Sequence, residues 1–354
     1  MPEQEQGPGY GATVAALSLG QLLCWAALYY AFSSFVLPMQ RELGWSKPLV
    51  MGAFTLGLAV WGASSYAVGA AIDRGHGRMV MTGGAVLGSL GFALWSQVSA
   101  PWMLYAAWAL LGAAMAMTLY EPAFAVLTKR YPERFTQAIT ALTLVGGFAS
   151  TLSFPAVAVL IAALGWRGAL AVIALVLLAG VGSLHAWALR GTGAAAVRHA
   201  EAPGGDATLR EALRAPAFWL LTASFTLYSF AVAALWAHAM PAFAAKGLSE
   251  TQALAVLVWV GPAQVAGRFG YAWLGRHLSL RSVGLVVLAG MPLSFTLFAL
   301  FDSSAALIGF ALLFGTANGM VTIVRGGMVP AYFGRANVGR IGGAMSGIAL
   351  LSRA

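Results

Sequence analysis

Charged side chains are scarce in this sequence. Asp, Glu, Lys and Arg make up only 9% of its 354 residues, whereas hydrophobic residues make up 60%. A soluble domain carries about 25% charged residues, because it needs a polar surface to stay in water. The shortage of charge therefore excludes an ordinary soluble protein and indicates a chain whose surface lies in lipid.

Residues that build metal sites and catalytic centres are scarce as well. The chain has a single cysteine, Cys24, and five scattered histidines, which excludes a disulfide framework and predicts no metal site. No glycine-rich stretch ends in Lys-Ser or Lys-Thr, so the sequence predicts neither an ATP site nor another cofactor. A membrane enzyme would need several His, Asp or Glu residues at one depth. The apolar segments offer a single acid, so we expect no enzyme activity.

Long apolar segments fill most of the chain. A helix needs about 20 such residues to cross a bilayer, and about eleven segments reach this length. The sequence therefore predicts an all-α polytopic membrane protein, with spans at roughly 12–37, 49–72, 79–98, 102–127, 136–163, 168–189, 217–240, 251–275, 282–301, 303–330 and 338–354.

One polar gap divides the spans into two groups. Residues 190–215 contain seven charged side chains together with glycine and proline. We interpret residues 1–189 as an N-terminal bundle of six helices, 190–215 as a linker and 216–354 as a C-terminal bundle. The second bundle is predicted to be incomplete, because its fifth span ends with the sequence.

Basic residues orient the spans. Every second gap holds a group of Lys and Arg residues, such as Lys129 with Arg130, whereas the opposite gaps hold few. Such groups favour the cytoplasmic side of a membrane. We therefore predict a protein integral to a bacterial cell membrane and in contact with its lipids, with the N-terminus and the linker in the cytoplasm. This topology accounts for the net charge of +9 without a nucleic-acid partner.

The two groups of spans also resemble each other in sequence. A single shift of 203 residues aligns Pro38, Gly44 and Ser46 with Pro241, Gly247 and Ser249, and Asp73 with Arg276. This duplication predicts two pseudo-repeated six-helix bundles. Bundles of this kind can rock against each other about a central site, which is how many secondary transporters work.

The gap after the second span contains a motif, Gly69-Ala-Ala-Ile-Asp73-Arg74-Gly75-His76-Gly77-Arg78. It resembles the loop motif of the major facilitator superfamily, in which glycine, three residues and Asp-Arg precede a second glycine and a basic residue. The resemblance implies a secondary active transporter that moves a small solute by alternating access. The chain departs from the family in three respects: Gly77 comes one residue later than usual, the fourth span lacks an early arginine, and about eleven of the usual twelve spans are predicted.

Within this family the chain is similar to the monocarboxylate and oxalate/formate carriers. The features that carry this similarity are Arg268 in the eighth span and Lys129-Arg130 ahead of the glycine pair Gly146-Gly147. The similarity implies an organic anion such as a monocarboxylate as the substrate, with transport driven by a gradient of protons or of another solute. Two alternatives stay open: proton-coupled efflux of a lipophilic drug or metabolite, and a membrane sensor that does not transport.

Two arginines within the spans are candidates for substrate binding. An ionisable group at the centre of a membrane helix costs about 3 kcal/mol, so we expect one there only when it is paired or used. Arg268 could hold a carboxylate through two parallel hydrogen bonds, and Arg325 could supply a second cationic contact or a gate. The alternatives are a structural ion pair for Arg268, and for both residues a long side chain that reaches the headgroups at the membrane surface.

Four aromatic or polar residues within apolar segments are further candidates for substrate binding. They are Trp25 and Tyr29 in the first span, Tyr228 in the seventh and Asn318 in the tenth. Each could line a cavity for the solute; the alternative is ordinary packing or lipid contact.

Charged residues near the inner membrane surface are candidates for gating and coupling. We predict a gate at Asp73, Arg74 and Arg78, and the family resemblance implies that Asp73 lies at the start of the eleventh span, where a helix N-terminus favours negative charge. Glu121 precedes Pro122, which removes a backbone donor from its helix. Either Glu121 carries a coupling proton, or it pairs with Arg74 or Arg78 and latches the closed state.

Overall fold

The described part of the chain is helical throughout. The computed structural model describes residues 7–191, 206–274 and 278–351, and these ranges contain no β-strand, so the predicted all-α class is confirmed. Residues 192–205 of the predicted linker, and Arg276 of the predicted repeat, lie outside them. The helices are α1 (Tyr10–Leu43), α2 (Lys47–Asp73), α3 (Gly77–Ser96), α4 (Pro101–Arg130), α5 (Phe135–Ala188), α6 (Leu209–Arg214), α7 (Pro216–Ala245), α8 (Glu250–Trp273), α9 (Leu280–Leu300), α10 (Ser304–Phe333) and α11 (Val338–Leu351).

The number of membrane-spanning helices agrees with the sequence once one long helix is divided. Within the described ranges, nine helices are long and apolar enough to cross a membrane, and α11 is a shorter apolar helix. The 54-residue helix α5 covers two predicted spans, 136–163 and 168–189. Gly165, with φ 69° and ψ 169°, breaks α5 into two arms close to the boundary between them. Glycine adopts this backbone conformation without steric cost.

The turns that follow α1 and α7 have the same local structure. Gly44 and Gly247 both have a left-handed backbone, with φ of 69° and 78°. Two residues later, Ser46 and Ser249 cap the next helix: their hydroxyls accept hydrogen bonds from the backbone N–H groups three residues on, at 3.4 Å and 3.3 Å. Serine is a favoured N-cap because it satisfies one of these otherwise free donors. The predicted shift of 203 residues is thus visible as a repeated turn.

The chain forms two compact units. Unit 1 contains the residues up to Phe218 and residues 333–351, and unit 2 contains Trp219–Tyr332. Helix α11 therefore belongs to unit 1, although the sequence analysis placed it in the C-terminal bundle. The functional division at residues 189 and 215 stays a prediction.

Each unit has its own aromatic core. In unit 1, the ring centroids of Phe32 and Phe54 are 4.6 Å apart, and those of Trp95 and Trp108 are 5.2 Å apart. Large rings in offset or edge contact contribute both buried area and favourable ring geometry. The core of unit 2 is built in the same way from Phe243, Phe298, Phe310 and Phe314.

Arg167 ties the ends of several helices in unit 1 together. Its Nε lies 2.9 Å from Glu42 at the end of α1, and its terminal nitrogens donate to the carbonyl oxygens of Ser96 and Val98 at 2.9 Å and 2.8 Å. Its guanidinium also lies 4.2 Å from the ring centroid of Trp166. A cation suits this position because the last carbonyl groups of a helix carry partial negative charge.

The short helix α6 is stabilised by a reciprocal cap. Thr208 accepts a hydrogen bond from the backbone N–H of Glu211, and the Glu211 carboxylate accepts one from the backbone N–H of Thr208 at 2.7 Å. The bond from the Thr208 backbone lowers the pKa of the exposed Glu211 carboxyl. This arrangement is a capping box, and its N-cap residue Thr208 lies two residues after Asp206.

Candidate functional site

Helices α2 and α11 touch along their backbones. A Cβ atom at Gly69 would overlap the carbonyl oxygen of Gly339, and one at Gly339 would overlap that of Gly69. Farther along, a Cβ at Gly62 would lie 3.1 Å from the carbonyl oxygen of Gly347. Small residues allow membrane helices to approach this closely. We call this contact the α2–α11 seam; it lies within unit 1.

The carboxylate of Asp73 lies at the N-terminal end of α11. Its Oδ1 accepts a hydrogen bond from the backbone N–H of Gly339 at 3.0 Å, and its Oδ2 accepts one from Arg340 at 2.8 Å. The first N–H groups of a helix have no partner inside it, and they favour a nearby negative charge. This is the place that the family resemblance implies for Asp73. Its role in gating stays a prediction.

Lys129 is the ion-pair partner of Asp73. Its Nζ lies 3.1 Å from Asp73 Oδ1, and the two side chains are only 7% and 3% exposed. The same Nζ donates to the carbonyl oxygen of Ala336 at 2.6 Å. Arg74 and Arg78, which the sequence predicts to form a gate with Asp73, are both exposed, and neither forms an ion pair in the described ranges. A buried carboxylate needs such a partner because an isolated charge is costly to bury.

Helix α4 is interrupted inside the bundle. Pro122 has no N–H to donate to the carbonyl oxygen of Thr118, and Leu119 leaves the helical conformation with ψ −158°. The side chain of Gln21 supplies the missing donor: its Nε2 lies 2.6 Å from the oxygen of Thr118 and 3.2 Å from that of Leu119. A polar residue of α1 thus compensates for a proline of α4, as membrane helices require.

Glu121 lies immediately after this interruption. It is in the first turn of the second segment of α4, Tyr120–Arg130, where the helix N-terminus favours a negative charge. It is half-buried, and its Oε1 accepts a hydrogen bond from Ser346 Oγ of α11 at 3.4 Å. Glu121 therefore links α4 to the same helix that Asp73 caps. The predicted latch to Arg74 or Arg78 is not seen, since neither arginine forms an ion pair in the described ranges.

Five aromatic residues form a cluster that includes Tyr120, the residue that follows the break in α4. The ring of Trp25 lies 4.9 Å from that of Tyr120, 5.5 Å from Tyr29 and 6.0 Å from Trp61. Tyr30 completes the group at 5.3 Å from Tyr29. We call these five residues the aromatic cluster. Trp25, Tyr29 and Tyr30 lie on a π-helical segment of α1, a local irregularity often found at functional sites.

Arg268 is buried within unit 2. It is 7% exposed, and its Nε donates to the carbonyl oxygen of Gly319 in α10 at 3.0 Å. None of the three ion pairs in the described ranges includes it. A guanidinium stays charged even when buried, so Arg268 brings a positive charge into the interior of this unit.

Close contact between α8 and α10 brings Arg268 to Gly319. A Cβ at Gly267 would lie 2.8 Å from the carbonyl oxygen of Thr316, and a Cβ at Gly319 would overlap that of Gln264. The helices can therefore approach only because these positions lack side chains. The glycine beside Arg268 thus fixes the distance that its guanidinium has to span.

The other predicted substrate residues of unit 2 differ in their surroundings. Asn318 and Arg325 are half-buried on α10, and Asn318 directly precedes Gly319. Tyr228 is 6% exposed in the apolar core, and its hydroxyl has no hydrogen-bond partner in the described ranges. Of these three candidates, Asn318 is the nearest in sequence to Gly319, the residue that Arg268 contacts. The substrate-binding roles of all three residues stay predictions.

A comparison with known families identifies the chain. The model described as Major Facilitator Superfamily matches residues 17–354. The chain belongs to the major facilitator superfamily. It is therefore an integral membrane protein of a family of secondary transporters. No curated protein sequence matches it at a significant level.

Solved structures of the superfamily have the same fold. The human organic anion transporter MFSD10 (TETRAN) superimposes with a TM-score of 0.70 at 17% identity, over 98% of this chain and 92% of that one. The E. coli fucose:proton symporter FucP superimposes with a TM-score of 0.68 at 15% identity, over 95% of this chain and 88% of that one. At such low identity these similarities show the fold alone.

Three residues that the structure brings to the site of this superfamily member were not predicted from the sequence. Lys129 was assigned to topology and family resemblance alone, while Gln21 and Asp206 received no role. One signal was available for Gln21: it is a polar residue inside the apolar segment of the first span. The contacts of Lys129 and Asp206 join segments 56 and 129 residues apart, and no local pattern encodes them.

Proposed function

We propose that this transporter carries an organic anion, such as a monocarboxylate, by alternating access, and that Arg268 binds its negative charge. The observation that carries the proposal is the buried guanidinium of Arg268, which has a backbone carbonyl as its partner and no ion pair in the described ranges. A neutral carbonyl does not cancel the charge, and an uncompensated charge is expensive inside a membrane protein. A carboxylate on the substrate would supply the compensation.

The geometry of Arg268 suits a carboxylate. Since Nε is committed to Gly319, the two terminal nitrogens are the part of the guanidinium that can meet a ligand. Two parallel hydrogen bonds from these nitrogens match the two oxygens of a carboxylate. The fold shared with a human organic anion transporter is in keeping with this substrate class.

Uptake by the reconstituted protein tests the proposal. Proteoliposomes would be supplied with radiolabelled monocarboxylates under an imposed pH gradient, with Arg281→Ala as a matched control. Arg281 belongs to the same unit, but it is exposed and stacks on Tyr332 at 4.9 Å. We expect Arg268→Ala to reduce uptake at least about tenfold, because two charge-assisted hydrogen bonds are lost, and Arg281→Ala to leave it unchanged. Normal uptake by Arg268→Ala would exclude the anion contact.

Protons are the coupling ion that we propose, with Glu121 as the group that carries them. Glu121 is half-buried at the interruption of α4 and bonded to Ser346, and a fucose:proton symporter has the same fold. If Glu121 carries the proton, Glu121→Gln loses uptake driven by a pH gradient but keeps exchange of labelled for unlabelled substrate. Loss of both activities together would instead assign Glu121 a structural role through its contact with Ser346 of α11.

The aromatic cluster favours a second candidate function, efflux of a lipophilic drug or metabolite. Trp25 and its four aromatic neighbours offer ring faces to an apolar or cationic solute, since cations are attracted to such faces. Competition separates the two functions. Carboxylates inhibit transport if the substrate is an anion, whereas lipophilic cations inhibit it if the cluster holds the substrate.

The orientation in the bacterial cell membrane is also a proposal. The end of unit 1 that contains Asp73 and Lys129 would face the cytoplasm, together with the N-terminus, because the basic gaps cluster there. A cysteine introduced by Gly9→Cys, in a Cys24→Ala background, should react with an impermeant maleimide only after the membrane is opened. Labelling of intact cells would reverse the orientation.

A further inference from the structure

The turn between α10 and α11 is held from two sides by carboxylates. Asp206, which lies just before α6, accepts hydrogen bonds from the backbone N–H groups of Arg335 at 2.9 Å and Ala336 at 3.1 Å. Asp73 of α2 accepts from the first turn of α11, as described above. Four backbone donors within six residues are thus satisfied by two carboxylates that are distant from them in sequence.

Further bonds join the segment of Asp206 to this turn. The backbone N–H of Ala207 donates to the carbonyl oxygen of Phe333 at 2.9 Å, and the side chain of Asn337 donates to that of Ala207 at 3.0 Å. Gly334 has φ 80°, and a Cβ there would overlap the Asp206 carboxylate. The turn therefore has a backbone conformation and a clearance that favour glycine.

Lys129 connects the two carboxylate contacts. Its Nζ donates to the carbonyl oxygen of Ala336, whose N–H is bound by Asp206, and it pairs with Asp73. Asp206, Ala336, Lys129 and Asp73 are consequently joined in one continuous network of hydrogen bonds and an ion pair. This network holds residues 335–340. All of these residues belong to unit 1.

We propose that Asp206 is a positioning residue for the closure of the α2–α11 seam. By fixing residues 335 and 336, it presents the first turn of α11 to Asp73 and Lys129 in the orientation that closes the seam. Ordering a free turn costs conformational entropy at each residue, and Asp206 removes part of that cost each time the seam closes. Transport by alternating access opens and closes the two ends of the protein in turn. The proposal rests on membership of the transporter family and not on the identity of the substrate.

Hydrogen exchange of the full-length protein in lipid nanodiscs tests the proposal directly. The variants are Asp206→Ala and Asp206→Asn, and Glu211→Gln is the control. Glu211 is a carboxylate five residues away whose hydrogen bonds in the described ranges go to Thr208, within the cap of α6. We expect Asp206→Ala to speed exchange about fivefold at the amides of 335–336 and also at 339–340, the size of effect that loss of a cap produces. Asp206→Asn should have a smaller effect because its amide oxygen still accepts one bond.

Thiol labelling measures the seam itself. Ser65 is 4% exposed, and its carbonyl oxygen lies against Gly343 of α11. In a Cys24→Ala background, the thiol introduced by Ser65→Cys should react with maleimide about fivefold faster when Asp206→Ala is added, and at the parental rate with Glu211→Gln.

The two readouts together decide the proposal. Faster exchange confined to 335–336, with unchanged exchange at 339–340 and unchanged labelling at position 65, would show that Asp206 caps the turn without positioning α11, which overturns the inference. If Asp206→Ala does not fold, Asp206→Asn carries the same test. A failure of anion uptake by the parent protein would contradict the proposed substrate and leave these measurements unaffected.

Discussion

The Nε atom of Arg268 lies 3.0 Å from the carbonyl oxygen of Gly319. This hydrogen bond connects α8 to α10 and fixes the direction of the guanidinium inside unit 2. A carbonyl oxygen has two lone pairs, so Gly319 can accept this bond without giving up its place in the helix. The guanidinium of Arg268 is therefore held at Nε, and this hydrogen bond sets the direction of its two terminal nitrogens.

This anchor distinguishes arginine from lysine at position 268. Arg268→Lys keeps the positive charge but loses both the Nε donor and the planar pair of terminal nitrogens. We expect the dissociation constant of a monocarboxylate to rise at least about tenfold, as measured by equilibrium binding to the purified protein. Arg281→Lys, the matched exposed substitution, should leave it unchanged. An unchanged dissociation constant for Arg268→Lys would mean that the positive charge alone holds the anion, and that the paired terminal nitrogens of arginine are not needed.

The two lysine ion pairs within the described ranges should differ in their contribution to stability. Lys129 and Asp73 are almost fully buried, whereas in the pair of Lys246 and Asp302 the aspartate side chain is 75% exposed. Removing one partner of a buried pair costs about 3–5 kcal/mol, because the other charge is left uncompensated. An exposed pair contributes about 0–1 kcal/mol.

The expected result is a large decrease in melting temperature for Lys129→Met and a small one for Lys246→Met. Differential scanning fluorimetry in detergent measures both substitutions under one condition. The double variant Lys129→Met with Asp73→Asn should recover part of the loss, since no unpaired charge then remains in the interior. Equal decreases for the two lysines would contradict the burial of the first pair.

Gly69 should tolerate no side chain. A Cβ there would overlap the backbone carbonyl of Gly339, and a backbone cannot turn aside as a flexible side chain can. We expect Gly69→Ala to destabilise the protein by about 1–3 kcal/mol, the usual cost of overpacking. Gly11→Ala is the control because a Cβ at Gly11 meets no atom within 4 Å. Thermal unfolding that is the same for both variants would show that the α2–α11 seam can widen freely.

The sequence predicted the features that depend on local chemistry. The spans follow from hydropathy, and the paired turns at Gly44 and Gly247 follow from glycine and serine at matching positions. The family motif implied the place of Asp73 at α11, which the structure shows. These features could be read because each is encoded within a few consecutive residues.

The features that the sequence did not predict depend on contacts between distant segments. Lys129 is the partner of Asp73, although Arg74 and Arg78 are much closer to it in sequence. Lys129 lies in one of the Lys- and Arg-rich gaps that indicate the cytoplasmic side of the membrane. Because that role already accounts for a lysine at this position, the sequence did not require an ion-pair partner for it. The break near Gly165 was expected only as a gap between two spans, and Asp206 had no local feature that pointed to a turn 129 residues away.

The interruption of α4 offers a test of how two distant residues compensate each other. Gln21 donates to the carbonyl oxygens of Thr118 and Leu119, and Pro122 is the reason that Thr118 lacks its usual helical donor. In the parent protein, Gln21→Leu should cost about 1–3 kcal/mol, because two buried acceptors lose their partner. In a Pro122→Ala background, the restored N–H at position 122 can bond Thr118 itself, so the same substitution should cost less.

Thermal unfolding of the parent, the two single variants and the double variant completes this cycle. A positive coupling between positions 21 and 122 requires that both act on the same carbonyl group, because residues with no shared partner give additive effects. The substitution Gln97→Leu is a suitable control: the side-chain amide of Gln97 donates to the neighbouring Ser96 Oγ at the end of α3, so its effect should be the same in both backgrounds. If Gln21→Leu costs equally with and without Pro122, then the proline does not create the acceptor that Gln21 satisfies, and the irregularity of α4 beside Glu121 must have another cause.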